Sequence, residues 1–200
     1  MAEGRWTDRI SKVAPLGAGP ALAAWLDLVV AWNARIDLTA ARDDDELVDL
    51  MVADAAALAP RIPENARVVD VGSGAGAPGL ALALLRPDLA VTLVEPLAKR
   101  VAFLRTVIGS LPRTDIEIVR DKGEPFADTH PGAFDVALSR ATLAPGLWVP
   151  LGLRLAPRCW TLLAKEEPPV IEGALVGDDV RYAWPLGGAT RRAVRFDRVT

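Results

Sequence analysis

Apolar positions along the chain follow two rhythms. Over residues 20–36, Leu22, Trp25, Leu26, Val29, Val30 and Ile36 recur at three- and four-residue spacing. That spacing predicts a helix, with Pro20 suited to its first turn. A second helix is predicted after Asp43, where Leu47, Leu50, Met51, Asp54 and Leu58 fall near one face. Asp43 and Glu46 stand at the spacing of a capping box, and the acidic run 43–46 suits a helix N-terminus. From residue 67 the rhythm changes to short β-branched runs alternating with helical stretches. Strands are predicted at 67–71, 90–94, 116–119, 134–138 and 160–164. Helices are predicted at 78–85, 98–111 and 143–155, the last started or interrupted by Pro145 and kinked near Pro150. Such alternation implies a parallel sheet with helices on both faces. After Pro168–Pro169 the pattern weakens, and 181–186 with 193–199 form a candidate hairpin across Gly187–Gly188. The change of rhythm divides the chain into a helical extension, 1–65, and an α/β domain, 66–200.

Composition removes several alternatives. The 200 residues are 51% hydrophobic and 24% charged, with one Cys and one His. Cys159 has no internal disulfide partner, and His130 with Cys159 is too few ligands for zinc, so no metal is expected. Cys–His and Ser–His–Asp chemistry would have to use His130, which lies in a Pro/Gly-rich loop and reads as an ordinary surface residue. Cys159 begins a strand and reads as packing. The first seven residues lack the apolar core of a secretory signal, and charge or proline breaks every long apolar stretch. The expectation is a cytoplasmic protein without a membrane partner, its oligomeric state open and a monomer favoured. Net charge is −3, with residues 1–66 at −5 and residues 67–200 at +2. A local basic patch is therefore compatible with the acidic total. Arg191, Arg192, Arg195 and Arg198 alternate along what reads as an edge strand, where charge commonly blocks aggregation.

The most informative segment is Asp70-Val-Gly72-Ser73-Gly74-Ala-Gly76-Ala77-Pro78-Gly79, between a predicted strand and a predicted helix. Glycines there allow a tight turn and close ligand approach, and helix N–H groups face the ligand. Glu95 ends the next strand, 23 residues after Gly72, where a carboxylate accepts from both ribose hydroxyls. A glycine turn that only packs helix on sheet is the alternative. A dinucleotide pyrophosphate is disfavoured by Asp70, two residues before the first glycine. A carboxylate there suits a ligand bearing an ammonium group, and S-adenosylmethionine carries one. No Lys-Ser/Thr follows the last glycine, which excludes a P-loop.

The loop, with its proline and final glycine, resembles that of the bacterial small-subunit ribosomal RNA methyltransferase family, RsmG or glucose-inhibited division protein B. Trp32-Asn33 to Asp37-Leu38-Thr39, Lys99-Arg100 to Phe103-Leu104, Phe134-Asp135 with Ser139-Arg140-Ala141, and Lys165 are similar to further family segments, in order. The resemblance covers about residues 25–165. It implies a class I S-adenosylmethionine-dependent methyltransferase: a Rossmann-like, mostly parallel seven-stranded sheet after an N-terminal helical extension. It implies methyl transfer to N7 of a guanine in small-subunit (16S) ribosomal RNA, with that RNA or the small subunit as partner. A methyltransferase for a small molecule or protein, or a non-catalytic binder of the cofactor, are the alternatives. By resemblance, Asp70, Gly72, Ser73, Gly74, Gly76 and Ala77 line the methionine side of the cofactor and Glu95 holds the ribose. Gly123 and Glu124 fall at the adenine loop, Arg140 lies near cofactor and incoming base, and Lys165 faces the substrate. Departures from the family pattern are Asp37 for Asn, Met51 and Ala55 for His and Ser around a retained Asp54, and Glu166 for Gly. They allow a divergent member, another substrate, or weakened RNA binding.

Overall fold

The computed structural model describes residues 4–111, 113, 115–164 and 166–199. The chain opens with helix α1 (Thr7–Val13), which buries Ile10, while the preceding Trp6 donates its Nε1–H to Asp27 of α2 at 2.7 Å. Helix α2 (Gly19–Asn33) buries Leu22, Trp25, Leu26 and Val29, the positions its periodicity singles out. Then come α3 (Asp44–Val48), a π-helical turn (Asp49–Ala53) and α4 (Asp54–Leu58), with helical backbone through both joins. Asp43 caps α3 by accepting from Glu46 N at 2.8 Å. The expected reciprocal bond goes elsewhere, since Glu46 accepts from Arg42 N at 2.9 Å and also pairs with that guanidinium.

The sheet has the order β3-β2-β1-β4-β5-β7-β6. Its strands are β1 (Arg67–Val71), β2 (Ala90–Val94), β3 (Glu117–Val119), β4 (Val136–Arg140), β5 (Arg158–Leu163), β6 (Ala174–Ala183) and β7 (Thr190–Arg198). Strands β1 to β5 are mutually parallel; β7 runs antiparallel to both β5 and β6. Helices α5 (Gly79–Leu85) and α6 (Ala98–Ser110) join the N-terminal helices on one face, packed on Val68, Leu93, Val136 and Leu138. Helices α7 (Gly123–Thr129) and α8 (Pro145–Leu155) cover the other, with Val69, Val71, Ala137 and Cys159. The strand order reverses between β1 and β4, and in open α/β sheets the carboxyl ends at such a point bound a ligand crevice.

The structure corrects several expectations. Helices α1 and α7 were not anticipated; each has seven residues, too few for a periodic signal. The hairpin arms are longer than expected, and β7 lies inside the sheet while β6 forms the edge. The β7 arginines are therefore not edge guards. Arg192 pairs with Asp179 and Glu167, Arg195 with Asp197, Arg198 donates to the Leu153 and Ala156 carbonyls, and Arg191 lies over the Trp184 ring at 3.7 Å. His130 stacks on Phe126 with ring centroids 4.1 Å apart, and burial pushes the Cys159 thiol well up. Among the described residues no helix is long and apolar enough to cross a membrane, and no group of His, Cys, Asp and Glu is arranged to hold a metal ion.

Candidate functional site

A cleft of about 570 Å³ opens at the carboxyl ends of β1, β2 and β4. Its floor is the glycine loop. Gly72 and Gly74 adopt φ of +78° and +56°, in the left-handed region. Their amides are committed: Gly72 N and Ser73 N donate to the Val94 carbonyl, and Gly74 N donates to Glu95 Oε2 at 2.9 Å. Ser139 Oγ donates to the Val71 carbonyl at 2.7 Å, tying β4 to β1 beneath the cleft. From the other side Trp25 of α2 donates its Nε1–H to the Ala75 carbonyl at 3.0 Å. The N-terminal helices thus brace the loop directly.

Glu95 follows β2 and lines the cleft, although only 2% exposed. Its Oε1 accepts from Leu97 N and its Oε2 from Gly74 N, both at 2.9 Å. A carboxylate has about four acceptor sites, so each oxygen keeps one for a donor in the cleft.

Asp70 lies elsewhere. Side chains alternate along a strand, so Asp70 shares the Val68 face of β1 and points towards α5. There Oδ2 accepts from Gly79 N at 2.9 Å. A Cβ on residue 79 would stand 2.6 Å from Asp70 Oδ2, so glycine is required for that approach. Oδ1 is buried without a hydrogen-bond partner, and burial pushes the Asp70 carboxyl up to about 7. The cleft lining includes Glu95 and omits Asp70, correcting the expectation that both acids bracket one crevice.

Of the other expected residues, Gly72, Ser73, Gly74, Ala77 and Arg140 line the cleft. Gly76 is packed beneath it against Leu80 and Trp25. Gly123 opens α7 against Val71 and Leu151, and the exposed Glu124 pairs with Arg154 at 3.4 Å, so neither lines the cleft. Lys165 lies outside the described residues.

Arg140 ends β4. Its Nη1 donates to the Leu50 carbonyl and to Asp54 Oδ2, the latter at 3.1 Å. Asp54 is 3% exposed, and its Oδ1 accepts from Tyr182 Oη at 2.8 Å and Trp184 Nε1 at 2.9 Å.

Thr142 is a lining residue that the sequence did not single out. Its Oγ1 donates to the Val71 carbonyl at 3.2 Å, and a Cβ on residue 72 would collide with it at 2.1 Å. The loop after α2 supplies another wall. Asn33 Oδ1 accepts from Leu38 N and Thr39 N, folding that loop so that Leu38, Thr39 and Ala40 face the cleft. Arg100 Nη2 donates to the Asp37 carbonyl at 3.1 Å and fastens the loop to α6.

Residues 19–145 match the family described as GidB, rRNA small subunit methyltransferase G. A ribosomal RNA small subunit methyltransferase G of Anaeromyxobacter dehalogenans is 37% identical over 189 residues, covering 88% of this chain and 87% of its own. Among solved structures, a variant of MtNAS in complex with S-adenosylmethionine superposes with a TM-score of 0.59 at 16% identity, covering 92% of this chain and 74% of its own. A SAM-dependent methyltransferase from Aquifex aeolicus gives 0.54 at 16% identity, covering 79% and 95%. The two solved structures share this chain's Rossmann-like α/β fold. With a family match over more than half its length, the chain belongs to the rRNA small subunit methyltransferase G family.

Proposed function

We propose that this chain transfers a methyl group from S-adenosylmethionine to N7 of a guanine in small-subunit ribosomal RNA, in the cytoplasm where ribosomal subunits are assembled. The observation that carries the reading is the cleft at the β1/β4 reversal, floored by the glycine loop and rimmed by Glu95, in a chain of this family.

The donor set suits the cofactor. Glu95 keeps an acceptor site on each oxygen for the two ribose hydroxyls. Gly74 meets no side chain within 4 Å of an added Cβ, so the loop offers bare backbone to a ligand. When bound, S-adenosylmethionine supplies a methyl group made electrophilic by the sulfonium. Guanine N7 has a free lone pair at neutral pH, so the protein needs no base to activate it. Its task is alignment, and alignment alone is worth several orders of magnitude. Arg140 has both Nη1 hydrogens engaged, which leaves Nε and Nη2 for guanine O6 or a phosphate. N7 is inaccessible in A-form duplex, so the guanine enters unpaired or splayed.

Charge placement favours RNA. Lys99 and Arg100 open α6, Arg120 follows β3 and Lys122 precedes α7, all at the carboxyl end of the sheet beside Asp121 and Glu124. These four cations form no ion pair among the described residues, whereas Arg67, Arg86 and Arg113 near the opposite end pair with Asp135, Asp88 and Asp115.

Calorimetry with S-adenosylmethionine, followed by labelled methyl transfer to small subunits from cells lacking the enzyme, tests the reading. The expected result is binding, with label recovered as 7-methylguanine. Absence of binding at millimolar cofactor overturns the methyltransferase assignment. Binding with label found only in protein or small molecules overturns the RNA assignment.

A further inference from the structure

The family match ends at residue 145, yet two side chains beyond it bear on the site through the partner of a cleft residue. Tyr182 is the penultimate residue of the largely exposed strand β6 and Trp184 follows that strand, and both donate to the same oxygen of Asp54. The other oxygen of Asp54 accepts from Arg140. We propose that Asp54, clamped by Tyr182 and Trp184, is the positioning residue that aims the Arg140 guanidinium into the cleft, so that the C-terminal hairpin belongs to the working parts of the site. The inference rests on the reading of Arg140 given above.

The geometry favours aiming over simple pairing. An isolated ion pair between a flexible guanidinium and a carboxylate tolerates many arrangements. Here Asp54 is 3% exposed and sits where the π-helical turn gives way to α4, while two neutral donors fix the orientation of its carboxylate. Burial, then the charge of Asp54, hold the Tyr182 phenol well above its ordinary range, so it remains a donor at any working pH. Arg140 Nη1 is held at two points, by the Leu50 carbonyl and Asp54 Oδ2. Two points fix the plane of a rigid guanidinium and therefore the direction of its remaining donors. Nε and Nη2 have no hydrogen bond to any described residue, and the side chain lines the cleft. A planar fork held on one edge and open on the other is a device for presenting donors to a ligand.

The test is a double-mutant cycle on methyl transfer between Tyr182→Phe and Arg140→Ala, with Asp54→Asn as a second route. Tyr182→Phe deletes one oxygen and keeps the ring. The expected result is a fall of about tenfold in kcat/KM for RNA in the wild-type background and less than twofold in the Arg140→Ala background, with cofactor Kd within twofold throughout. Asp54→Asn is expected to match Arg140→Ala, because its amide nitrogen cannot accept from Nη1. Equal losses from Tyr182→Phe in both backgrounds overturn the proposal, since a merely structural hairpin would act with or without Arg140. No loss from Tyr182→Phe in the wild-type background also overturns it. A protein in which Arg140→Ala leaves transfer unchanged overturns the role given to Arg140, and a wild-type protein that binds no cofactor overturns the methyltransferase reading itself.

Discussion

At the residue scale, Asp70 shows how strand alternation decides the use of a charge. One position along the strand would have turned the carboxylate to the opposite face; the observed register buries it under α5, with one oxygen on Gly79 N and the other without a partner. Desolvation exceeds the help from that amide and from Arg140, and the carboxyl is pushed up to about 7 against an ordinary 3.8. Between those values the native protein holds a proton that the unfolded chain has lost. The resulting stability is present at the acidic side and lost as pH rises through 7. At ~1.4 kcal/mol per pH unit the shift corresponds to a few kcal/mol. The acids held low by arginines, such as Asp44, Asp135 and Asp179, act with opposite sign and below pH 4. Asp70→Asn carries no titrating group, so its melting temperature relative to wild type is expected to rise by several degrees between pH 5 and 8. Parallel thermal melts across that range would contradict the burial argument.

At the element scale, α2 does more than cover the sheet. Its Trp25 reaches across to the Ala75 carbonyl, so the N-terminal helices and the glycine loop share a buried hydrogen bond. Trp25→Phe leaves that carbonyl without its donor, at a cost of ~1–3 kcal/mol. For a chain of this size that is a drop of roughly 2–12 °C in Tm. Because the bond lies under the loop, cofactor affinity is expected to weaken several-fold as well, read by calorimetry; stability lost with affinity intact would make α2 a cover only. The spacing in α2 and the β-branched runs of β1 and β2 were legible because each follows from local burial. Gly72 and Glu95 were legible as cleft residues because the loop and the strand that place them are local too. What was hidden depends on distant partners. Trp25 reads as core, and nothing nearby in sequence reveals its bond to residue 75. Asp54 reads as one residue of a helix face, while its partners Tyr182 and Trp184 lie in a segment whose pattern is weak because β6 is largely exposed. Short α1 and α7 gave too few turns to show a period, and α7 took Gly123 and Glu124 out of the expected loop.

At the scale of the whole molecule, the hairpin decides where the working unit ends. The family match ends at residue 145, which would make the C-terminal hairpin the first candidate for removal. Packing argues the reverse. β7 lies inside the sheet, paired with β5 from Arg158↔Asp197 to Leu163↔Arg192, and buries Ala193, Val194 and Phe196. Asp49, buried in the π-helical turn, accepts from Leu186 N and Gly187 N; desolvation pushes its carboxyl up and these bonds oppose that. Asp54 depends on Tyr182 and Trp184 in the same way. A chain ending at Glu172 would lose β7, open the β5 edge, and leave two buried carboxylates without the donors that offset their desolvation. These losses act on both ends of the sequence at once, because Asp49 and Asp54 belong to the N-terminal helices. The truncated chain is therefore expected to lose cooperative unfolding in urea and its near-ultraviolet dichroism, in helices and sheet together. A truncated chain that unfolds in one sharp transition and still binds cofactor would mean that the first 172 residues fold without the hairpin, and that the carboxylates find solvent or other donors in its place.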